Sequence, residues 1–396
     1  MSTLSDSSRR NTEKQNESFS IFSLPAWFRQ EPVMSLEDAR EELEALSYDD
    51  QIRIEREKFG MIEYPVEETP ELITLALEEL GEAILAIPAK KEAYEAMLFI
   101  DPEYVESEEF RLPFLRADLF NVTAAAQRIV DYWDHKVQLF GVEKGLKRHI
   151  SLLDLKEEDY EALKLSGVQL LPRVDEAGRA IIFQQLKYSP RTADSMHRLQ
   201  WYMVHAAIFD SVRERSTAIQ KSGFVYLVMV GDSKPVTCGS DVNSIIGFES
   251  WTELRKYCRS SQHHTESVLP MRPPMAAHCF IYNKWAVALV ERILDIMGEI
   301  YRAKLCFYYN DSCREDASEM VEDDHGEKEA NLIALRAYGI DREIIPTEVG
   351  GDFDHDAQTF LMDRLQKDLA SAGMDLDSDS GWENKLPSSL RELLRI

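Results

Sequence analysis

The chain has 396 residues, 71 acids against 45 bases, a formal charge of -26 and 44% hydrophobic residues, six of them tryptophan. That size and apolar content suffice for two folded units with substantial cores. The acid excess argues against a nucleic-acid partner, which needs clustered Lys and Arg on a net-positive face, and against standing attraction to an anionic membrane.

The longest apolar run, Phe224 to Val230, is far short of the roughly 20 residues a membrane helix needs. The polar N-terminus lacks an apolar stretch behind a basic cluster, so the expected address is cytoplasmic, peripheral on membranes at most. Five cysteines without a CxxC pair or zinc spacing read as buried fillers, with no metal and no cofactor expected. The charge is uneven. Residues 35–109 hold 23 acids and 6 bases, residues 310–380 hold 20 and 6, and residues 110–309 hold 26 bases and 22 acids.

Residues 1–34, rich in Ser, Asn and charge, predict a disordered tail. From Ser35 the pattern becomes helical, with an N-cap at Ser35 and another at Thr69 followed by Pro70. Leu72, Leu75, Ala76, Leu80, Ala83 and Ile84 form a 3.6-period stripe ended by Pro88. Further helices are predicted near 89–99, 103–116 and 122–140, so residues 35–150 read as an all-helical lobe. The period then changes. Short apolar runs at 168–171 and 180–184 flank Asp175-Glu176-Ala177-Gly178, a hairpin turn. A helix is predicted over 195–220, and then Phe224 to Val230 as a strand covered on both faces. A polar loop (231–249), a helix (250–259), a strand (276–283), a helix (285–301), a strand (303–309) and a helix (326–338) follow. This alternation implies an α/β lobe over 151–356 with a mainly parallel sheet, because parallel neighbours need crossovers. Residues 357–396 read as a helical or flexible acidic tail.

Two stretches carry the most information: Phe114-Leu115-Arg116-Ala117-Asp118-Leu119-Phe120-Asn121-Val122 and Ile345-Pro346-Thr347-Glu348-Val349-Gly350-Gly351. With Ala124 to Ala126 and Tyr132-Trp133, the turn Asp175 to Arg179, the strand Phe224 to Gly231, and Met271-Arg272-Pro273 ahead of Phe280 to Asn283, they make the chain resemble the CRAL-TRIO lipid-binding family over residues 105–355. That family includes phosphatidylinositol-transfer, α-tocopherol-transfer and retinaldehyde-binding proteins. Two positions depart from its pattern. Asn283-Lys284-Trp285 stands for the family's Asn-Ala-Pro, and Leu294-Asp295-Ile296 for the Lys-Pro-Phe of its gate, a loss that argues against an inositol phosphate headgroup.

The resemblance implies a helical lobe followed by a sheet that floors a lipid cavity, with the helix 285–301 as its gate. It turns a set of oily residues into pocket wall and gate: Trp201, His205, Phe209, Tyr226 and Val228, then Phe280, Tyr282, Trp285 and Leu289, and finally Ile293, Ile296, Met297, Ile300 and Phe307. His205, Tyr226, Tyr282 and Arg272 are candidates to hold a polar headgroup. Arg255, Lys256 and Arg259 are candidates for transient contact with a membrane surface. Burying an acyl or isoprenoid chain of ~15 carbons would gain on the order of 10 kcal/mol against water, a gain the bilayer also offers.

No phosphate loop, G-x-G-x-x-G, tyrosine-phosphatase loop or G-x-S-x-G elbow occurs. Asp352, Asp354 and Asp356 begin like an EF-hand but meet Ala357 where glycine is needed. The expected function is therefore non-enzymatic: intracellular binding, and transfer between membranes, of a small lipophilic molecule or phospholipid. The alternative is an interaction or regulatory module that senses lipid or recruits a protein partner through its acidic helices.

Overall fold

A computed structural model describes residues 34–61, 64–209, 213–231, 247–263, 267–272, 276–282, 284–309, 324–354, 357–371, 386–388 and 390–391. The predicted N-terminal tail except Met34, most of the 231–249 loop and most of the chain after 371 lie outside these residues.

The helical part comprises α1 (Leu36–Ala45), α2 (Tyr48–Lys58), α3 (Pro70–Ala86), α4 (Glu92–Ile100), α5 (Pro102–Val105), α6 (Glu108–Ala117), α7 (Val122–Phe140), α8 (Val142–Gly145) and α9 (Glu157–Lys164). Local chemistry sets its boundaries. Ser35 and Asp38 form a reciprocal capping box on α1, Thr69 caps α3 with Pro70 in the first turn, and Asn121 caps α7. The apolar stripe of α3 buries Ala76, Leu80 and Ile84, and α7 packs against α3, α4 and α6.

The run Phe114 to Val122 is the corner between α6 and α7, and it ties the two parts of the molecule together. Arg116 grips Glu68 through two hydrogen bonds (2.9 and 2.7 Å) and reaches Gln220 at 2.6 Å. Asp118 receives two hydrogen bonds from Arg128 (2.8 and 2.7 Å), which also donates to the Leu269 carbonyl. The motif serves architecture.

The sheet contains β1 (Val168–Val174), β2 (Ala180–Gln185), β3 (Phe224–Val230), β4 (Ala276–Ile281) and β5 (Leu305–Tyr309) in the order β1-β2-β3-β4-β5. β1 is antiparallel to β2 across the predicted hairpin, and β2 to β5 are parallel, so the sheet is mixed but mostly parallel. Crossovers are α10 (Ala193–Ile208) and α11 (Arg213–Ser222) before β3, α12 (Trp251–His263) before β4, and α13 (Lys284–Leu294) with the short α14 (Glu299–Arg302) before β5. α15 (Asp324–Ala337) and α16 (Ala357–Ser371) follow.

β3 is covered on both faces. Phe224 and Val230 join the larger core with α7, α10 and α13, while Val225, Leu227 and Met229 join a second core with α15 and residues 340–349. α16 docks by Leu361, Leu365 and Leu369, and its Asp368 accepts from the Leu152 amide at 2.7 Å. In the closing motif Gly350 sits at φ 98, and a Cβ on Gly351 would lie 1.9 Å from the Ile345 carbonyl oxygen, so this turn requires the glycine pair.

Two expected helices are divided. The predicted 195–220 helix is divided into α10, ending at Ile208, and α11, beginning at Arg213, and the Ile208 carbonyl accepts from Ser216 and from Gln220. The predicted 285–301 helix ends at Leu294. Arg302 donates to the carbonyls of Leu294 and Met297, capping a helix end with a cation. α1 packs on α13 at this break: Asp295 accepts from the Met34 amide at 2.7 Å, and Glu42 accepts from Arg302 at 2.7 and 2.5 Å. α1 and α2 thus make polar contacts with the α/β part, although the sequence groups them with the helical lobe.

Candidate functional site: an apolar hollow on one sheet face

Parallel register determines which strand residues meet. Gln184, Val228, Cys279 and Phe307 form one row across β2 to β5, and Ile182, Tyr226, Ala277 and Leu305 form a parallel row on the same face. Over these rows lies a half-open hollow with a free volume of about 180 Å³. Leu254, Tyr257 and Cys258 of α12 wall one side, and Val290 and Ile293 of α13 with Met297 wall the other.

Of the residues singled out from the sequence, Tyr226, Val228, Ile293, Met297 and Phe307 line this hollow. Phe280 and Tyr282 belong to the opposite face. Phe280 stacks on Tyr308 with centroids 5.0 Å apart, and Tyr282 donates to the Glu348 carbonyl at 3.2 Å. The reason is strand parity: once Cys279 faces the hollow, Phe280 cannot.

Trp201, His205 and Phe209 are also elsewhere. Trp201 packs between the two parts of the molecule against Tyr132 (4.7 Å), and His205 lies between His149 (5.0 Å) and Phe209 (4.5 Å). Phe209 borders a separate polar cleft with Arg116 and Gln220. Leu289 is fully buried core, Ile296 is half-buried outside the lining, and the side chains of Trp285 and Ile300 lie outside the described residues. Arg272 is turned away, donating to the Lys221 carbonyl at 2.8 Å.

Gln184, Gln200, Leu254, Tyr257, Cys258 and Cys279 were missed. For α12 the signal was available: Leu254, Tyr257, Cys258 and Ser261 recur at i, i+3, i+4 and i+7. Arg255, Lys256 and Arg259 occupy its exposed side, Lys256 pairing with Asp194 at 2.9 Å.

The hollow is electrically quiet. Burial pushes the Cys258 and Cys279 thiols up to about 12 and the Tyr226 phenol, which the Gln200 hydrogen bond partly offsets, up to about 12. All three are neutral at pH 7. Among the described lining residues the one ionised side chain, Lys304, is paired with Glu57 at 2.8 Å. Neutral walls and a small free volume favour holding an uncharged apolar molecule.

No group of three or more His, Cys, Asp or Glu arranged for a metal occurs among the described residues, and no described helix is long and apolar enough to cross a membrane. No protein-family model matches the chain, and no curated protein matches it.

Proposed function

We propose that this chain binds one small lipophilic molecule in the hollow above β3 to β5, in the manner of a CRAL-TRIO lobe whose gate is the α13–α14 segment, and that it carries this molecule between membranes. The observation behind this reading is the free volume itself: side chains from the sheet and from α12 and α13 enclose about 180 Å³ without meeting. An aliphatic cavity of roughly 150 Å³ admits benzene. The hollow therefore takes a single ring or short chain as it stands, and a longer chain requires α13 and α14 to move outward. A two-chain phospholipid is disfavoured on size. The exposed basic side of α12, next to the hollow, would meet anionic headgroups during exchange.

Native mass spectrometry with solvent extraction of the purified protein tests this, a stoichiometric apolar ligand being the expected result. The double substitution Ile293→Asp with Met297→Asp puts carboxylates into the hollow while sparing the buried Leu289 and Leu294. Ligand retention should fall at least 100-fold with the far-ultraviolet spectrum unchanged; retention at the wild-type level would remove α13 from the site.

A further inference from the structure

Two of the polar side chains that line the hollow, Tyr226 and Gln200, narrow the ligand by their chemistry. Tyr226 rises from β3 and Gln200 from α10, with Gln200 Nε2 and Tyr226 Oη 3.0 Å apart. Gln200 is buried, and Oε1 of its amide, beside His197, has no hydrogen bond of normal geometry. Behind it, Ser260 Oγ donates to the Lys256 carbonyl at 2.7 Å, so its contact with His197 Nε2, also 2.7 Å, makes that nitrogen the donor and leaves Nδ1 an acceptor. With the amide in one orientation Tyr226 receives from Gln200 and has its own hydrogen to give; with the amide turned, Tyr226 donates to Gln200 and keeps a lone pair open. A hydroxyl both donates and accepts, so it satisfies Tyr226 in either case.

Charge selection points the same way. Lys304 is already matched by Glu57, so a carboxylate entering the hollow gains no uncompensated cation, and an ammonium meets no free anion among the described lining residues. Either would give up its hydration without gaining a counter-charge. From these contacts we infer that the ligand is an uncharged molecule carrying a hydroxyl recognised by Tyr226 and Gln200. This rests on the hollow being a binding site.

Eight-carbon probes separate the two ideas. Binding of 1-octanol, n-octane, octanoate and octylammonium to the full chain at pH 7 is measured by ligand-observed NMR titration. The expected order is 1-octanol tighter than n-octane, with both ions at least 10-fold weaker than 1-octanol. Tyr226→Phe, which keeps the ring, should weaken 1-octanol about 5- to 10-fold and leave n-octane unchanged. Octanoate or octylammonium binding as tightly as 1-octanol, or an alcohol preference that survives Tyr226→Phe, would overturn the hydroxyl assignment while the binding site stands. If no probe binds at millimolar concentration, the binding site falls as well.

Discussion

Acidification from pH 6.5 toward pH 4 is expected to destabilise the fold at a rate approaching about 4 kcal/mol per pH unit, the combined effect of three buried histidines at about 1.4 kcal/mol each. Burial lowers His197 to about 4 and His278 to about 3, and His205 falls well below its ordinary value. Neighbouring cations act in the same direction: Arg179 and Lys58 beside His278, Lys136 and Arg364 beside His205, and Lys256 beside His197, where Asp194 opposes. In the unfolded chain these rings titrate near 6.5. Between 6.5 and about 4 the unfolded state thus binds protons that the folded state refuses, and stability rises with pH.

The contribution is complete above pH 6.5. Integrated from pH 6.5 to 4 the loss reaches at most about 10 kcal/mol, enough to unfold a domain in the lower part of the usual range of roughly 5–15 kcal/mol. Urea unfolding at pH 7, 6 and 5 measures the slope, and His278→Gln should reduce it by about 1.4 kcal/mol per unit below pH 6.5. A stability that does not change between pH 6.5 and 5 would refute the burial of these rings.

Arg179→Met is expected to cost about 3–5 kcal/mol, since it strands a buried carboxylate. Arg179 is 1% exposed and donates to Asp175 Oδ2 at 2.5 Å, to the carbonyls of Glu57 and Lys58 at 2.9 and 2.8 Å, and to the Tyr338 carbonyl at 3.0 Å. One guanidinium thus ties the hairpin to α2 and to the end of α15. Burial raises the Asp175 carboxyl even with Arg179 beside it, so the orphaned acid would take up a proton. Adding Asp175→Asn should recover at least about 1 kcal/mol, because an amide tolerates that site without a counter-charge. Denaturant unfolding of the singles and the double decides it; a loss below about 1 kcal/mol for Arg179→Met would show that the pair carries little.

Much of the fold was legible because it rests on local rules. The strand Phe224–Val230 appears with the predicted limits, the hairpin turn brings Gly178 to φ 79, and the glycines at 223 and 339 take φ 84 and 78 just after their helices. The helix caps at Ser35 and Thr69 were equally readable, since each involves residues three apart. The ends of α10 and α13 were not, because the side chains that bond to the Ile208 and Leu294 carbonyls sit on the following helix and their placement depends on how it folds back.

For the hollow, composition singled out the strands that line it but not the faces that do. Choosing aromatic residues selected Phe280 and Tyr282, while the small side chains of Ala277 and Cys279 are what leave space above the sheet. The order of helices and strands, the turn positions and the apolar character of the central strand are written into the chain locally, since all follow from interactions of residues close along it. The inter-strand register, the strap of α1 across the α13–α14 break and the pairing of Tyr226 with Gln200 emerge on folding, because each depends on groups distant in sequence that come within a few ångströms only in the folded chain.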